Sequence, residues 1–296
     1  MSEGVAHNVG PARIDIGYER CGDPAAPPVL LIMGGGAQMI NWPEGFCTEL
    51  VDRGLQVIRF DGRDTGRSTH FADAPVPDVR GALAGDLSCV SSTLSDMVAD
   101  SVGLLDVLRL DGAHMVGASL GGMVAQTVAI EYPDRVRSLT SMFSTTGDRA
   151  VGQADVAALG PIGAPPVDRR GYIDWQVRAM RAVGSPGFAF DEAGVADRAA
   201  RSYDRGHDPV GMLRQAVAVV ASGTAPTACV SARTDAGEAR NRRQDERHQR
   251  RAGHGCGRPR REAGDLRRHG PPPAAGAVGG AGRVHRWAGA AGEPLI

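Results

Sequence analysis

With 296 residues, 42% of them hydrophobic, the chain is long enough to bury a large core, and a formal net charge of -1 points away from a nucleic-acid surface. That average conceals an asymmetry, because all 33 basic residues are arginine and 14 of them follow Ser231. Five cysteines (Cys21, Cys47, Cys89, Cys229, Cys256) lack metal-ligand or disulfide-framework spacing, and their odd number fits a reducing compartment. The opening MSEGVAHNVG has neither a basic region nor an apolar run, and no apolar stretch reaches the roughly 18 residues of a membrane span. The expectation is a cytoplasmic protein with no membrane partner.

In chain order, residues 13–20 (RIDIGYER) alternate as a strand does. PVLLIM, at 28–33, is a continuous apolar run of the kind buried on both faces of a parallel sheet, and it empties into Gly34-Gly35-Gly36. Residues 44–53 read as a helix and Gly54–Phe60 as the next buried strand, ending in Asp61-Gly62-Arg63-Asp64-Thr65-Gly66-Arg67-Ser68. After an Ala/Pro/Gly-rich piece to about Gly85, Thr93-Leu94-Ser95-Asp96 opens an amphipathic helix through Leu108. Strands follow at 113–117 and 136–143, giving five expected parallel strands in all. Residues 149–223 change character: helical segments near 171–183 and 209–222 are separated by Gly/Pro-rich turns. They read as a helical lid whose Tyr172, Ile173, Trp175, Met180, Phe188, Phe190 and Met212 line or cover a pocket, or simply pack on the sheet. Residues 224–296 break the pattern. Past residue 231, Leu, Ile and Val are confined to Leu266, Val278, Val284, Leu295 and Ile296, which predicts a disordered basic tail.

The chemistry concentrates in AHMVGASLGGMVAQTVAIEYPDRV, at 113–136. Gly117-Ala118-Ser119-Leu120-Gly121 is G-x-S-x-G, set between an apolar strand and a helix that Pro133 stops. In that context the motif reads as a nucleophile elbow, with the serine on a strained turn and glycines where a Cβ would crowd the crossing. The Gly34–Gly36 run is not a phosphate loop, having no G-K-[ST] and no G-x-G-x-x-G. Asp61, Arg63, Asp64 and Ser68 are expected to brace their loop through mutual hydrogen bonds. Trp42 and Met39 suit either substrate contact or the core.

LLIMGGGAQMINWP at 30–43, VIRFDGRDTGRS at 57–68 and MVGASLGGMVAQTVAIEYPDRVRSLTSM at 115–142 together resemble the alpha/beta-hydrolase superfamily, and more narrowly the small esterases typified by aclacinomycin methylesterase. The resemblance spans roughly residues 13–222. It implies an α/β fold, a mostly parallel sheet with flanking helices; with the changes of pattern above, the chain divides into a core over 1–148, a lid over 149–223 and a tail over 224–296. It implies Ser119 as nucleophile, an oxyanion hole from the N–H groups of Gly35 and Leu120, and a small-molecule carboxylic ester as substrate, without metal or organic cofactor. A perhydrolase or haloperoxidase-like activity would use the same residues. The family order is Ser, acid, His, yet the last two fall where the pattern is lost. By position His269, with Asp245 or Asp235 as acid, fits least badly; with no packed core to hold them, the expectation is a catalytically inactive hydrolase-fold protein or binder.

Codon arithmetic suggests why. Arginine as the sole basic residue points to CGN codons. Read one base downstream, Glu238–Glu246 permits Lys-His-Gly-Thr-Asp-Asp-Lys-Met-Asn, and Arg233–Gly237 permits Val-Pro-Thr-Leu-Val. Leu266–Pro272 permits Tyr-Asp-Gly-Met-Gly-His if Arg268 is CGG and Gly270 is GGG. These resemble the family's acid and histidine loops in frame and in order. The expectation is a frame change near Gly223–Cys229, which leaves the C-terminal strands unmade.

Overall fold

Two short segments dictate the centre of the sheet. PVLLI (β3, Pro28–Ile32) and QVIRF (β4, Gln56–Phe60) are buried at all five positions, as a parallel pair covered on both faces requires. The computed structural model describes residues 2–147 and 162–223, which lie in one compact unit. The remaining elements, in order, are β1 (Ser2–Val9), β2 (Ile14–Cys21), α1 (Glu44–Asp52), α2 (Val79–Leu83), α3 (Leu94–Val107), β5 (Ala113–Ala118), α4 (Leu120–Glu131), β6 (Val136–Met142), α5 (Arg169–Val183), α6 (Glu192–Gly206) and α7 (Pro209–Ala221). The six strands run β1-β2-β4-β3-β5-β6. The four strands β4, β3, β5 and β6 are parallel, while β1 and β2 are antiparallel to their neighbours.

Five parallel strands were expected; among the described residues six are found, and β2, one of the five, runs antiparallel. SEGVAHNV buries only Ala6 and Val9 among its apolar residues, so its alternation is faint, and pairing with β2 makes it a strand. The 94–107 helix begins as the sequence predicts: the Thr93 side chain accepts from the Asp96 N–H and the Asp96 carboxylate accepts from the Thr93 N–H. Two helices were not anticipated, α2 and α6. Both carry a local signal in D-x-x-G. Asp78, Asp168, Asp191 and Asp208 cap α2, α5, α6 and α7, each accepting from the N–H of the glycine three residues on. At Gly81 and Gly171 a Cβ would press on the capping carboxylate, at 2.5 and 2.6 Å.

One face of the sheet packs Leu30, Ile58, Met115, Leu104, Leu105 and Val128 against α3 and α4; the other packs Leu31, Val57, Trp42 and Cys47 under α1. Met39 and Trp42, at 0% and 1% exposure, belong to the core. β6 contrasts with β3 and β4. Arg137, Ser138, Thr140 and Ser141 are exposed, an uncommon state for a strand paired in parallel. The helices α5, α6 and α7 follow β6 in the chain. Among the described residues no helix is long and apolar enough to cross a membrane. The basic tail, the frame change beyond Gly223, and the candidates Asp245, Asp235 and His269 lie outside the described residues.

Candidate active site

Ser119 stands at the corner where β5 becomes α4, with φ 52° and ψ -117°. A non-glycine residue there is strained and persists only where its surroundings over-determine it. They do. The Ser119 N–H donates to the Met142 carbonyl at 3.0 Å, and its carbonyl accepts from the Gly122 N–H at 2.9 Å and from Ser144 Oγ at 2.7 Å. The flanking glycines make room: a Cβ on Gly117 would lie 2.6 Å from Gly122 N, and one on Gly121 would lie 2.6 Å from the Ile32 carbonyl carbon.

The glycine run after β3 lies against this corner. A Cβ on Gly34 would lie 3.3 Å from Ser119 Cβ, and one on Gly35 would lie 3.5 Å from Leu120 Cδ2. Neither the Gly35 nor the Leu120 N–H donates to any described group, whereas the Gly36 N–H donates to Gln215 Oε1 at 2.7 Å. Ser119 itself is exposed. A cavity of about 190 Å³ opens beside it, walled by Gly35, Gly36, Asp64 and Thr65 on one side and by Tyr172, Trp175, Met180, His207 and Met212 on the other. Ser119 does not line it; the contact between them is the glycine run. Four of the seven lid residues singled out in the sequence reach the cavity. Ile173 packs beside Tyr172 and Trp175, Phe188 is exposed, and Phe190 lies under the Arg181 guanidinium at 4.5 Å.

The loop after β4 is held from outside more than from within. Among Asp61, Arg63, Asp64 and Ser68 the direct bond is Ser68 Oγ to the Asp61 carbonyl, 2.6 Å. Asp61, fully buried, accepts from Met39 N at 2.8 Å and from Arg205 Nη2 of α6 at 2.9 Å. Arg63 grips Asp100 of α3 with two bonds, at 2.6 and 2.9 Å. Burial pushes the Asp100 carboxyl above its ordinary range despite the opposing Arg63 charge. Asp64, at φ 60°, accepts from Phe71 N at 2.8 Å and from Arg214 Nη1 of α7 at 3.1 Å. The sequence reading missed these partners. A signal was present: Arg214 and Gln215 interrupt an otherwise apolar helix, and both are buried.

Each described histidine is bonded elsewhere than Ser119. His7 pairs with Asp15, His114 with Ser138, and His207 with the Pro166 carbonyl. His70 Nδ1 meets Asp208 Oδ2 at 2.8 Å and its Nε2 meets the Gly66 carbonyl at 3.0 Å. Asp64, His70 and Asp208 place possible metal-ligand atoms within 4.8 Å of one another, but Arg214 Nη1 already fills the cationic role there, 3.7 Å from Asp208 Oδ2. Burial alone would lower the His70 pKa; the hydrogen bonds to Asp208 and Gly66 and the charges of Asp208 and Asp64 outweigh it and raise it above 6.5. Protonated His70 therefore stabilises the fold fully below about pH 6.5, and that contribution fades as the pH rises through the folded value. The thermal midpoint of His70→Gln should fall furthest below the parent near pH 6 (about half a unit below the free value), with the gap narrowing toward pH 9. A gap that widens with pH would refute this.

A six-stranded sheet, a strained serine at a strand-to-helix corner and a glycine run beside it make a recognisable set. Residues 27–160 match the alpha/beta hydrolase fold family. The chain has the alpha/beta-hydrolase fold. A rhodomycin D methylesterase of Streptomyces sp. is 31% identical to this chain over 170 residues, 56% of this chain and 52% of the relative. Another, from Streptomyces peucetius, is 37% identical over 124 residues, 42% and 37% of the two chains. The chain thus spans about half the length of the first and less of the second. Among solved structures, a thermophilic esterase from Thermogutta terrifontis superposes with a TM-score of 0.54 at 20% identity, over 76% of this chain and 74% of that one. An enol-lactonase from Burkholderia xenovorans gives 0.52 at 18%, over 75% of each. At such identities these two establish the fold alone.

Proposed function

We propose that this protein is built to cleave a carboxylic ester of a small molecule, methylesterase-like, with Ser119 as nucleophile. The serine oxygen attacks the ester carbonyl, the alkoxide leaves with a proton, and water releases the acid from the acyl-enzyme. The free N–H groups of Gly35 and Leu120 receive the oxyanion; one such donor is typically worth about 3 kcal/mol in the transition state. The observation that carries this reading is the strained backbone of Ser119, held beside two unsatisfied amides. The rhodomycin D methylesterase relatives support the substrate class. The cavity edged by Gly35 and Trp175 would take the body of the ester.

A second reading, a binder that keeps the cleft without turnover, draws support from the histidines: none of those described bonds to Ser119. An activated fluorophosphonate separates the two. Labelling of the chain that disappears in Ser119→Ala supports the hydrolase; no labelling, with a small ester still quenching tryptophan fluorescence, supports the binder.

A further inference from the structure

Three consecutive glycines leave the backbone at 34–36 with unusual freedom, yet an amide that is to receive an oxyanion must point one way. Something has to fix it. The Ala37 N–H closes a turn onto the Gly34 carbonyl at 3.2 Å, and Gly36 sits at φ 69° against Met212, where a Cβ would lie 2.6 Å from Met212 Cγ. The remaining restraint is Gln215. Its side chain is 5% exposed, in the middle of α7 and 179 residues from the loop it grips. Oε1 accepts from the Gly36 N–H at 2.7 Å, while Nε2 donates to the Arg63 carbonyl at 2.7 Å and to Thr65 Oγ1 at 2.8 Å. Both amide hydrogens and the oxygen are engaged, so the side chain cannot flip without stranding a buried donor.

We infer that Gln215 is a positioning residue. By holding the Gly36 N–H it sets the plane of the neighbouring peptide and leaves the Gly35 N–H turned to the carbonyl oxygen at Ser119. The lid helix thereby helps to build the oxyanion site as well as cover it. This rests on the proposed roles of Ser119 and Gly35.

The test is the rate of phosphonylation by an activated fluorophosphonate, resolved into its maximal rate and its half-saturating concentration, on the full chain. Gln215→Leu should lower the maximal rate by about 10-fold or more, the order set by loss or misdirection of one oxyanion donor, with half-saturation within about two-fold. Ser222→Ala is the control for damage to α7, since Ser222 Oγ only caps α3 at Leu94 N (2.8 Å) and bonds the Ala218 carbonyl. It should lower the thermal midpoint and leave the maximal rate alone. An unchanged maximal rate in Gln215→Leu, or an equal fall in both variants, overturns the proposal while leaving the Ser119 reading intact. Labelling that Ser119→Ala does not remove, or no labelling even when the expected frame beyond Gly223 is restored, overturns that reading and this one together.

Discussion

Removing one base between codons 223 and 229 should raise turnover of an activated carboxylic ester by at least about 10³-fold over the chain as it stands. The estimate follows from what a missing base and acid cost a serine nucleophile, which is commonly more than that. Ser119 has its strained corner and its two free amides, but a serine hydroxyl is a poor nucleophile until a base takes its proton. The described histidines are occupied: His70 by Asp208 and Gly66, His114 by Ser138, His207 by Pro166. β6 bears on the same point: among the described residues it is an edge strand paired with β5, and Arg137, Ser138, Thr140 and Ser141 are exposed where parallel strands are ordinarily covered on both faces. The check is the ester assay on the products of both versions of the gene, after sequencing across codons 220–275. Equal turnover, or a stop codon in the shifted frame, would end the frame-change account.

Gly121→Ala should destabilise the fold by at least about 3 kcal/mol, at the severe end for a single methyl group. The new Cβ would lie 2.6 Å from the Ile32 carbonyl carbon and 2.7 Å from the Met33 oxygen. Neither atom can step aside. Both are backbone: Ile32 ends β3 in register with Gly117 of β5, and Met33 follows it directly. Gly85→Ala separates collision from backbone strain, since Gly85 has φ 100° and nothing within 4 Å of a Cβ. Its cost should stay near 1 kcal/mol. Denaturant titration of the three chains gives the comparison; similar midpoints for the two variants would mean that the corner yields, and that its glycines matter less than the packing implies.

The parts of the sequence that read plainly were those where local pattern and tertiary need coincide. PVLLI and QVIRF are apolar because both faces are covered, and G-x-S-x-G keeps its glycines because backbone passes within contact distance. β1 was illegible because its alternation is thin and its partner makes it a strand. α6 was illegible to hydrophobic pattern alone, with Arg and Asp at so many positions, although its Asp191 and Gly194 announced the cap. The site's long-range bonds were harder still. Gln215 to Gly36 and Arg205 to Asp61 join residues more than a hundred positions apart, and nothing in one sequence pairs them.

Arg205 carries a kinetic consequence. Its guanidinium neutralises Asp61, whose side chain has no exposure, and also reaches Glu3 and Gln38, while Gln38 Nε2 bonds the Ser202 and Gly206 carbonyls at 2.7 Å. Swinging the C-terminal end of α6 outward would strand a buried carboxylate, a cost on the order of 3–5 kcal/mol. Opening of the cavity at that end should therefore be slow. Opening past α5 should be faster, because its charged ties to α6, Arg169 to Asp204 and Arg181 to Glu192, are half in solvent and cheap to break.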